Sequence, residues 1–225
     1  MNLLEIHSLK KTFYGADGKP AASISVPELS LERGGMMILE GPSGSGKTTL
    51  LHIISGLLKE DSGSVIFDGK DVTGLSAKER DRWRAANIGY IFQKLNLLEA
   101  LTVEENIIMA AKWKIGGKNN DLRGRARKLL EHVSLGNKAN MRPAKLSLGE
   151  QQRIAILRAV FNEPALLLAD EPTASLDRAN ADIVLDLLKE LCISSGAALI
   201  ISTHDDYVKS RFKRRYDIRK GTYCS

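Results

Sequence analysis

Short apolar runs rich in Ile, Val and Leu recur along this chain, separated by longer segments with helical spacing. The runs predict core strands at Met36–Glu40, 88–92, 166–169 and 198–202, and strands alternating with helices predict an α/β fold around a mostly parallel sheet. Three of the runs, the first, third and fourth, lead directly into polar or glycine-rich residues. Ligands of open α/β sheets bind at the carboxyl ends of strands, so those three junctions are where chemistry is expected.

Residues 94–163 have a different texture, with helical spacing, basic clusters and few strand-like runs. They read as a helical insert, leaving a core made of 1–93 and 164–225. Within the insert, Arg123, Arg125, Arg127 and Lys128 are expected to coat the exposed face of one helix, with Leu122, Ala126, Leu129, Leu130 and Val133 on its buried face. Gly116-Gly117-Lys118-Asn119-Asn120 reads as a turn or loop.

The chain has 225 residues, 43% hydrophobic and 27% charged, enough for one sizeable core with an inserted subdomain and without the bias of disordered or fibrous chains. Its longest apolar stretches fall well short of the roughly 20 residues that span a bilayer, and the N-terminus shows no secretory pattern; a cytosolic location is expected. Two cysteines, Cys192 and Cys224, are too few and too isolated for a disulfide framework or a zinc site. The net charge of +6 is not gathered into a long basic run, so solvated lysines and arginines explain it without a nucleic-acid partner.

The sharpest chemical signal is Gly41-Pro42-Ser43-Gly44-Ser45-Gly46-Lys47-Thr48, which fits G-x-x-x-x-G-K-[ST] between an apolar strand and a helix-compatible run at 49–58 that opens with Thr49. A chance match in a chain of this length is roughly a one-in-a-hundred event at ordinary glycine usage. Glycines let backbone N–H groups converge on phosphate oxygens at a helix N-terminus whose dipole favours anions. Lys47 is expected at the β- and γ-phosphates and the Thr48 hydroxyl on Mg2+, so the ligand is a nucleoside triphosphate, ATP.

The run 166–169 ends in Asp170-Glu171. Alone this pair reads equally well as a surface turn; with the phosphate loop it reads as a magnesium ligand, Asp170, followed by a carboxylate, Glu171, that orients and deprotonates the attacking water. The run 198–202 ends at Thr203-His204-Asp205, where His204 is a candidate to hydrogen-bond the γ-phosphate and help place the water.

Together these residues resemble the ATP-binding-cassette (ABC) ATPases, over essentially the whole chain. Leu146-Ser147-Leu148-Gly149-Glu150-Gln151-Gln152-Arg153 is similar to that family's signature sequence, and Gln93, Ala174-Ser175-Leu176-Asp177 and His204 follow in the family's order. The resemblance implies a P-loop NTPase fold with a RecA-like core sheet, an N-terminal antiparallel β region and an inserted helical subdomain. It also implies that Gln93 touches ATP and magnesium and couples them to the insert, and that Asp177 lies in a loop between subunits. An aromatic near the N-terminus is expected to stack on adenine, with Phe13 the choice and Tyr14 its alternative.

In this family two cassettes close head to tail, so Ser147, Leu148, Gly149 and Glu150 are expected to contact the ATP of a second, identical subunit. Leu148 stands where the family usually has glycine, and Glu150 where glutamine is commoner. Were that backbone to need a positive φ, leucine there would cost roughly 1 kcal/mol or more. Residues 88–93, Asn96-Leu97-Leu98 and 101–107 look most like the lipoprotein-release and macrolide-efflux group, though cell-division and amino-acid-uptake cassettes share much of the pattern. The resemblance therefore implies a peripheral ATPase on the inner face of the cell membrane, driving a separate permease toward extrusion or mechanical transmission. Weighed against it are a DNA-associated cassette using Arg211, Lys213, Arg214 and Arg215, and a non-hydrolysing regulatory subunit weakened by Leu148.

Overall fold

The computed structural model describes residues 1–113 and 121–224; the turn read at 116–120 lies outside them. The chain divides into two compact units, Met1–Arg84 with Ala198–Ser225, and Ala85–Ala197. The helical segment read at 94–163 and the strands on either side of it fall within the second unit.

The first unit begins with β1 (Asn2–Tyr14) and β2 (Pro20–Glu32), then β3 (Met36–Glu40), α1 (Lys47–Ile54), β4 (Ser62–Phe67), β5 (Lys70–Asp71) and α2 (Ala77–Asn87), whose last turn lies in the second unit. The second unit continues with β6 (Ile88–Ile91), α3 (Val103–Ile108), a 3₁₀ turn at Met109–Trp113, α4 (Leu122–His132), α5 (Leu148–Val160), β7 (Leu166–Asp170) and α6 (Arg178–Ser195). The chain then returns to the first unit as β8 (Ala198–Thr203), α7 (Asp206–Ser210), β9 (Arg215–Asp217) and β10 (Thr222–Cys224).

In the first unit one antiparallel sheet runs β2-β1-β4-β5, and β3 pairs in parallel with both β8 and β9. Every residue of β7 and β8 is buried, as expected of parallel strands covered on both faces. The predicted strand at Met36–Glu40 has the observed bounds, and the other three differ by a residue at an end. Within the second unit β6 and β7 form a parallel pair. Among the described residues no helix is long and apolar enough to cross a membrane.

Helix α1 stops at Ile54, short of the run predicted to 58. Gly56 adopts a left-handed φ of 69°, its N–H bonds Ile53 O at 2.9 Å and the Leu57 N–H bonds His52 O at 2.8 Å. This paired closure satisfies the last carbonyls and turns the chain away. Ala126 and Leu130 of α4, and Val133 at its C-cap, are buried as predicted, whereas Leu122 and Leu129 are half-buried. Arg125 departs from the exposed face assigned to it. Its guanidinium lies 4.9 Å from the Phe161 ring centroid and donates to Phe161 O at 3.0 Å and Glu163 at 2.9 Å. Arg123 and Arg127 are exposed but reach Glu104, which is buried in α3, at 3.4 and 2.7 Å; an unpaired carboxylate there would be costly.

At the C-terminus the Cys224 thiol donates to Glu40 Oε1 at 2.9 Å. Burial, and then that contact with Glu40, pushes the thiol above its ordinary pKa, which keeps it a protonated donor. Cys192 is buried in α6, where burial pushes its thiol up to about 12.

Candidate functional site

In the first unit, β3 delivers the chain into the loop 41–46 and α1 begins at Lys47. Gly46 forms the N-cap in a left-handed conformation, φ 95°, with no side-chain cap. A Cβ there would fall on Ile24 of β2, so only glycine allows both the turn and the approach of β2. Lys47 is 6% exposed, and its Nζ donates to Gly41 O at 2.8 Å and Pro42 O at 3.2 Å. The ammonium thus lies inside the loop's own curve. Thr48 is exposed and Thr49 half-buried on the first turn.

A cleft of about 490 Å³ opens beside the loop, lined by Ser23, Ile24 and Ser25 of β2, residues 42–45, Ile218 and Arg219. Among the described residues the Ser45 hydroxyl is buried without a protein partner, a donor for which a bound anion is a natural acceptor. Phe13 pairs with Ala22 across β1 and β2. By the two-residue period of a strand Ala22 shares a face with Ile24, the residue that meets Gly46, so Phe13 lies on that face too. Phe13 is 39% exposed and Tyr14, beyond a register shift, 67%. On β8, Thr203 pairs with Glu40, so His204 and Gly41 leave neighbouring parallel strands at the same carboxyl edge. His204 is exposed there.

In the second unit, Ile91 of β6 pairs with Ala169 of β7, so Gln93 and Glu171 each follow two residues later at one carboxyl edge. Asp170 is 3% exposed at the end of β7. Burial, with a smaller push from the Asp170 carboxylate, raises the Tyr90 hydroxyl above the ordinary tyrosine range. Glu171 has a left-handed φ of 48° and its carbonyl accepts from Ala174 N at 3.2 Å. A non-glycine residue held there costs on the order of 1–3 kcal/mol, a strain that clusters at functional turns.

Helix α5 starts at the signature. Ser147, the N-cap, has φ −63° and ψ 160°; its hydroxyl accepts from Glu150 N, and the Glu150 carboxylate accepts from Ser147 N at 3.0 Å. Glu150 also pairs with Lys138. Lys138, and then the Ser147 amide, hold its carboxyl below the usual glutamate range. Leu148 is the first residue of α5 and is not among the non-glycine residues with positive φ. The strain considered for leucine at this position is therefore absent, because helix N1 geometry suits it. Gly149 packs against Asn180, whose Oδ1 would lie 2.7 Å from an added Cβ. Asn180 also donates its N–H and Nδ2 to Asp177 at 2.8 and 2.9 Å, so Asp177 is the N-cap of α6 and Asn180 links it to the signature.

One residue of the signature helix is not singled out by sequence reasoning. Gln152 is 5% exposed and its Nε2 has no protein partner among the described residues; left dry, such a donor costs on the order of 1–3 kcal/mol. The available signal is a polar residue sharing a helical face with Ala155 and Ile156, both buried.

A glycine-rich loop between a parallel strand and a helix, with a buried lysine turned into it, defines a P-loop ATPase. The chain belongs to the ABC transporter family, whose sequence profile matches residues 25–174, and it is an ATP-binding, ATP-hydrolysing cassette. Over 224 residues it is 40% identical to the lipoprotein-releasing system ATP-binding protein LolD 1 of Caulobacter vibrioides, covering 100% of this chain and 95% of that one. Among solved structures, the dimeric post-hydrolysis state of the ATP-binding cassette MJ0796 bound to ADP and Pi superposes with a TM-score of 0.87 at 32% identity, over 99% of this chain and 98% of that one. The structure of cbiO1 from Clostridium perfringens, part of the ABC transporter complex cbiONQ, gives a TM-score of 0.85 at 27% identity, over 100% of this chain and 87% of that one.

Proposed function

We propose that this ATPase drives a membrane-embedded permease from the cytoplasmic face of the cell membrane, in lipoprotein release or a related extrusion process, as a pair of identical cassettes. The full-length likeness to a lipoprotein-releasing ATP-binding protein supports the process, and the dimeric form of the MJ0796 cassette supports the pairing. In this reading the amides of residues 41–48 and the Lys47 ammonium hold the triphosphate of ATP, and Phe13 stacks on adenine. Ser147, Leu148, Gly149 and Glu150 meet the nucleotide of the second cassette, with Asp177 at the same junction.

Thr48 in the first unit offers a hydroxyl, and Gln93 and Asp170 in the second an amide and a carboxylate; each is a hard oxygen donor of the kind that suits magnesium and not a thiolate-seeking metal. When bound, magnesium would neutralise charge on the β- and γ-phosphates. Glu171 takes a proton from water as its oxygen bonds to the γ-phosphorus; the bond to the β,γ-bridging oxygen breaks and ADP leaves with that electron pair. His204 holds a γ-phosphate oxygen through this step.

The observation that carries the reading is the phosphate loop with Lys47 buried inside it. Glu171→Gln is expected to keep ATP affinity while turnover falls by about 10²–10⁴-fold, the range for losing a general base; unchanged turnover would remove Glu171 from that role. Purifying the chain from native membranes in detergent should bring down a permease, and isolation without any membrane protein would end the transport reading.

A further inference from the structure

Within the second unit, beneath the signature turn, lies a small cavity of about 30 Å³ lined by Gln93, Leu148, Gln152, Glu171, Pro172 and Leu176, among others. A water molecule needs on the order of 10–15 Å³ of such volume and two or more polar neighbours. Gln152 and Glu171, one carrying an amide and the other a carboxylate, both line that space. Among the described residues the Gln152 Nε2 finds no protein acceptor, and buried donors of this kind are satisfied by ordered water when protein does not serve. Leu148 lines both this cavity and a wider groove of about 310 Å³, and it is 44% exposed. With Gln93 and Leu95, which line both spaces too, Leu148 forms the boundary between the small cavity and the wider groove.

We propose that Gln152 is a positioning residue for hydrolysis: its Nε2 donates to a water held in this cavity, and that water donates to the Glu171 carboxylate. The bridge holds the carboxylate on its strained turn in one orientation, and Leu148 shields it from exchange with bulk solvent. The leucine that departs from the family's usual glycine thus has a task inside its own subunit. This inference rests on the reading of Glu171 as the base.

The test compares Gln152→Leu, which removes the donor at nearly constant volume, with Gln152→Asn, which keeps an amide and leaves room for one more water. In the full-length chain, Gln152→Leu is expected to lower kcat about tenfold, equivalent to ~1.4 kcal/mol, with KM for ATP unchanged, and Gln152→Asn to recover most of that loss. Wild-type kcat in Gln152→Leu, or equal losses in both variants, would overturn the proposal, since the second pattern means packing alone. A high-resolution crystal structure of the unmutated chain decides independently of how the variants fold: water bridging Gln152 and Glu171 supports the proposal, and a dry cavity overturns it. Glu171→Gln measured alongside separates the two readings. If it abolishes turnover while Gln152→Leu does not change it, only the bridge fails; if Glu171→Gln is fully active, the assignment of the base fails first.

Discussion

Helix α1 begins at a left-handed Gly46 with no side-chain cap and no acidic residue in its first turn. Helix α5 begins at an extended Ser147 whose hydroxyl, together with the Glu150 carboxylate, closes a capping box. Both are helix N-termini assigned to phosphate, and both carry the partial positive charge of aligned peptide dipoles. The first leaves that charge unopposed by its own side chains, which suits an end that holds a triphosphate within its own subunit. The second has already turned a hydroxyl and a carboxylate onto its own amides, and Lys138 offsets the carboxylate. An end built this way keeps its shape without nucleotide, which suits a surface that meets ATP only when a second cassette arrives. The contrast separates a site that needs its ligand's charge from one that is complete without it.

The strongest blow to the first end is Lys47→Ala, expected to weaken ATP binding on the order of 10²-fold in calorimetry, matching ~3 kcal/mol for hydrogen bonds to a charged group. Binding within a few-fold of the unmutated chain would mean that the loop amides suffice. Next in size is Gly46→Ala. Left-handed φ alone costs an alanine about 1–2 kcal/mol, and the overlap with Ile24 adds to it, so denaturant unfolding should show a loss of at least about 2 kcal/mol. Gly149→Ala is its counterpart at the second end. The nearest atoms it meets belong to the Asn180 side chain and its φ is not in the left-handed region, so it should cost about 1 kcal/mol, at the low end of overpacking. Equal losses at the two glycines would erase the distinction between the ends.

Ser147→Ala should cost about 1 kcal/mol as a lost cap even without nucleotide; a stability effect seen only in the presence of ATP would show the box to be incidental. The smallest expected effect is Glu150→Gln, roughly 0.5–1 kcal/mol for a half-exposed pair with a cap contact. The sign follows from the folded-state pKa, which Lys138 and the Ser147 amide depress. The carboxylate's contribution is present above the ordinary glutamate range and is lost as pH falls through the lower folded value. Wild type should therefore exceed the variant in melting temperature at pH 7, and the gap should close in strongly acidic buffer. A gap that persists there points to shape and not charge.

Much of this site is readable along the chain because its chemistry is local. The phosphate loop follows a strand and precedes a helix at fixed spacing, and Met36–Glu40 has its predicted bounds since a short apolar run between polar residues has few other solutions. The Ser147-x-x-Glu150 spacing is also the pattern of a capping box, yet a reading that treats these residues only as nucleotide contacts passes over it. Gly56 marks the end of α1 in the same local way.

Other features depend on what is brought alongside. Arg125 is spaced like its exposed neighbours, and only the arrival of Phe161 and Glu163 makes it a packed residue. Leu148 departs from a family habit, but the backbone it occupies is ordinary helix, which no residue type reveals by itself. That Gln152, with its buried Nε2, lines a cavity shared with Glu171 depends on residues of three separate segments. The amino-acid sequence by itself settled the strand, loop and helix that cradle phosphate, since those rest on contacts a few residues apart. Tertiary structure alone decided the packing of Arg125 against Phe161 and the buried Nε2 of Gln152, because packing and hydrogen-bond satisfaction are set by neighbours distant along the chain.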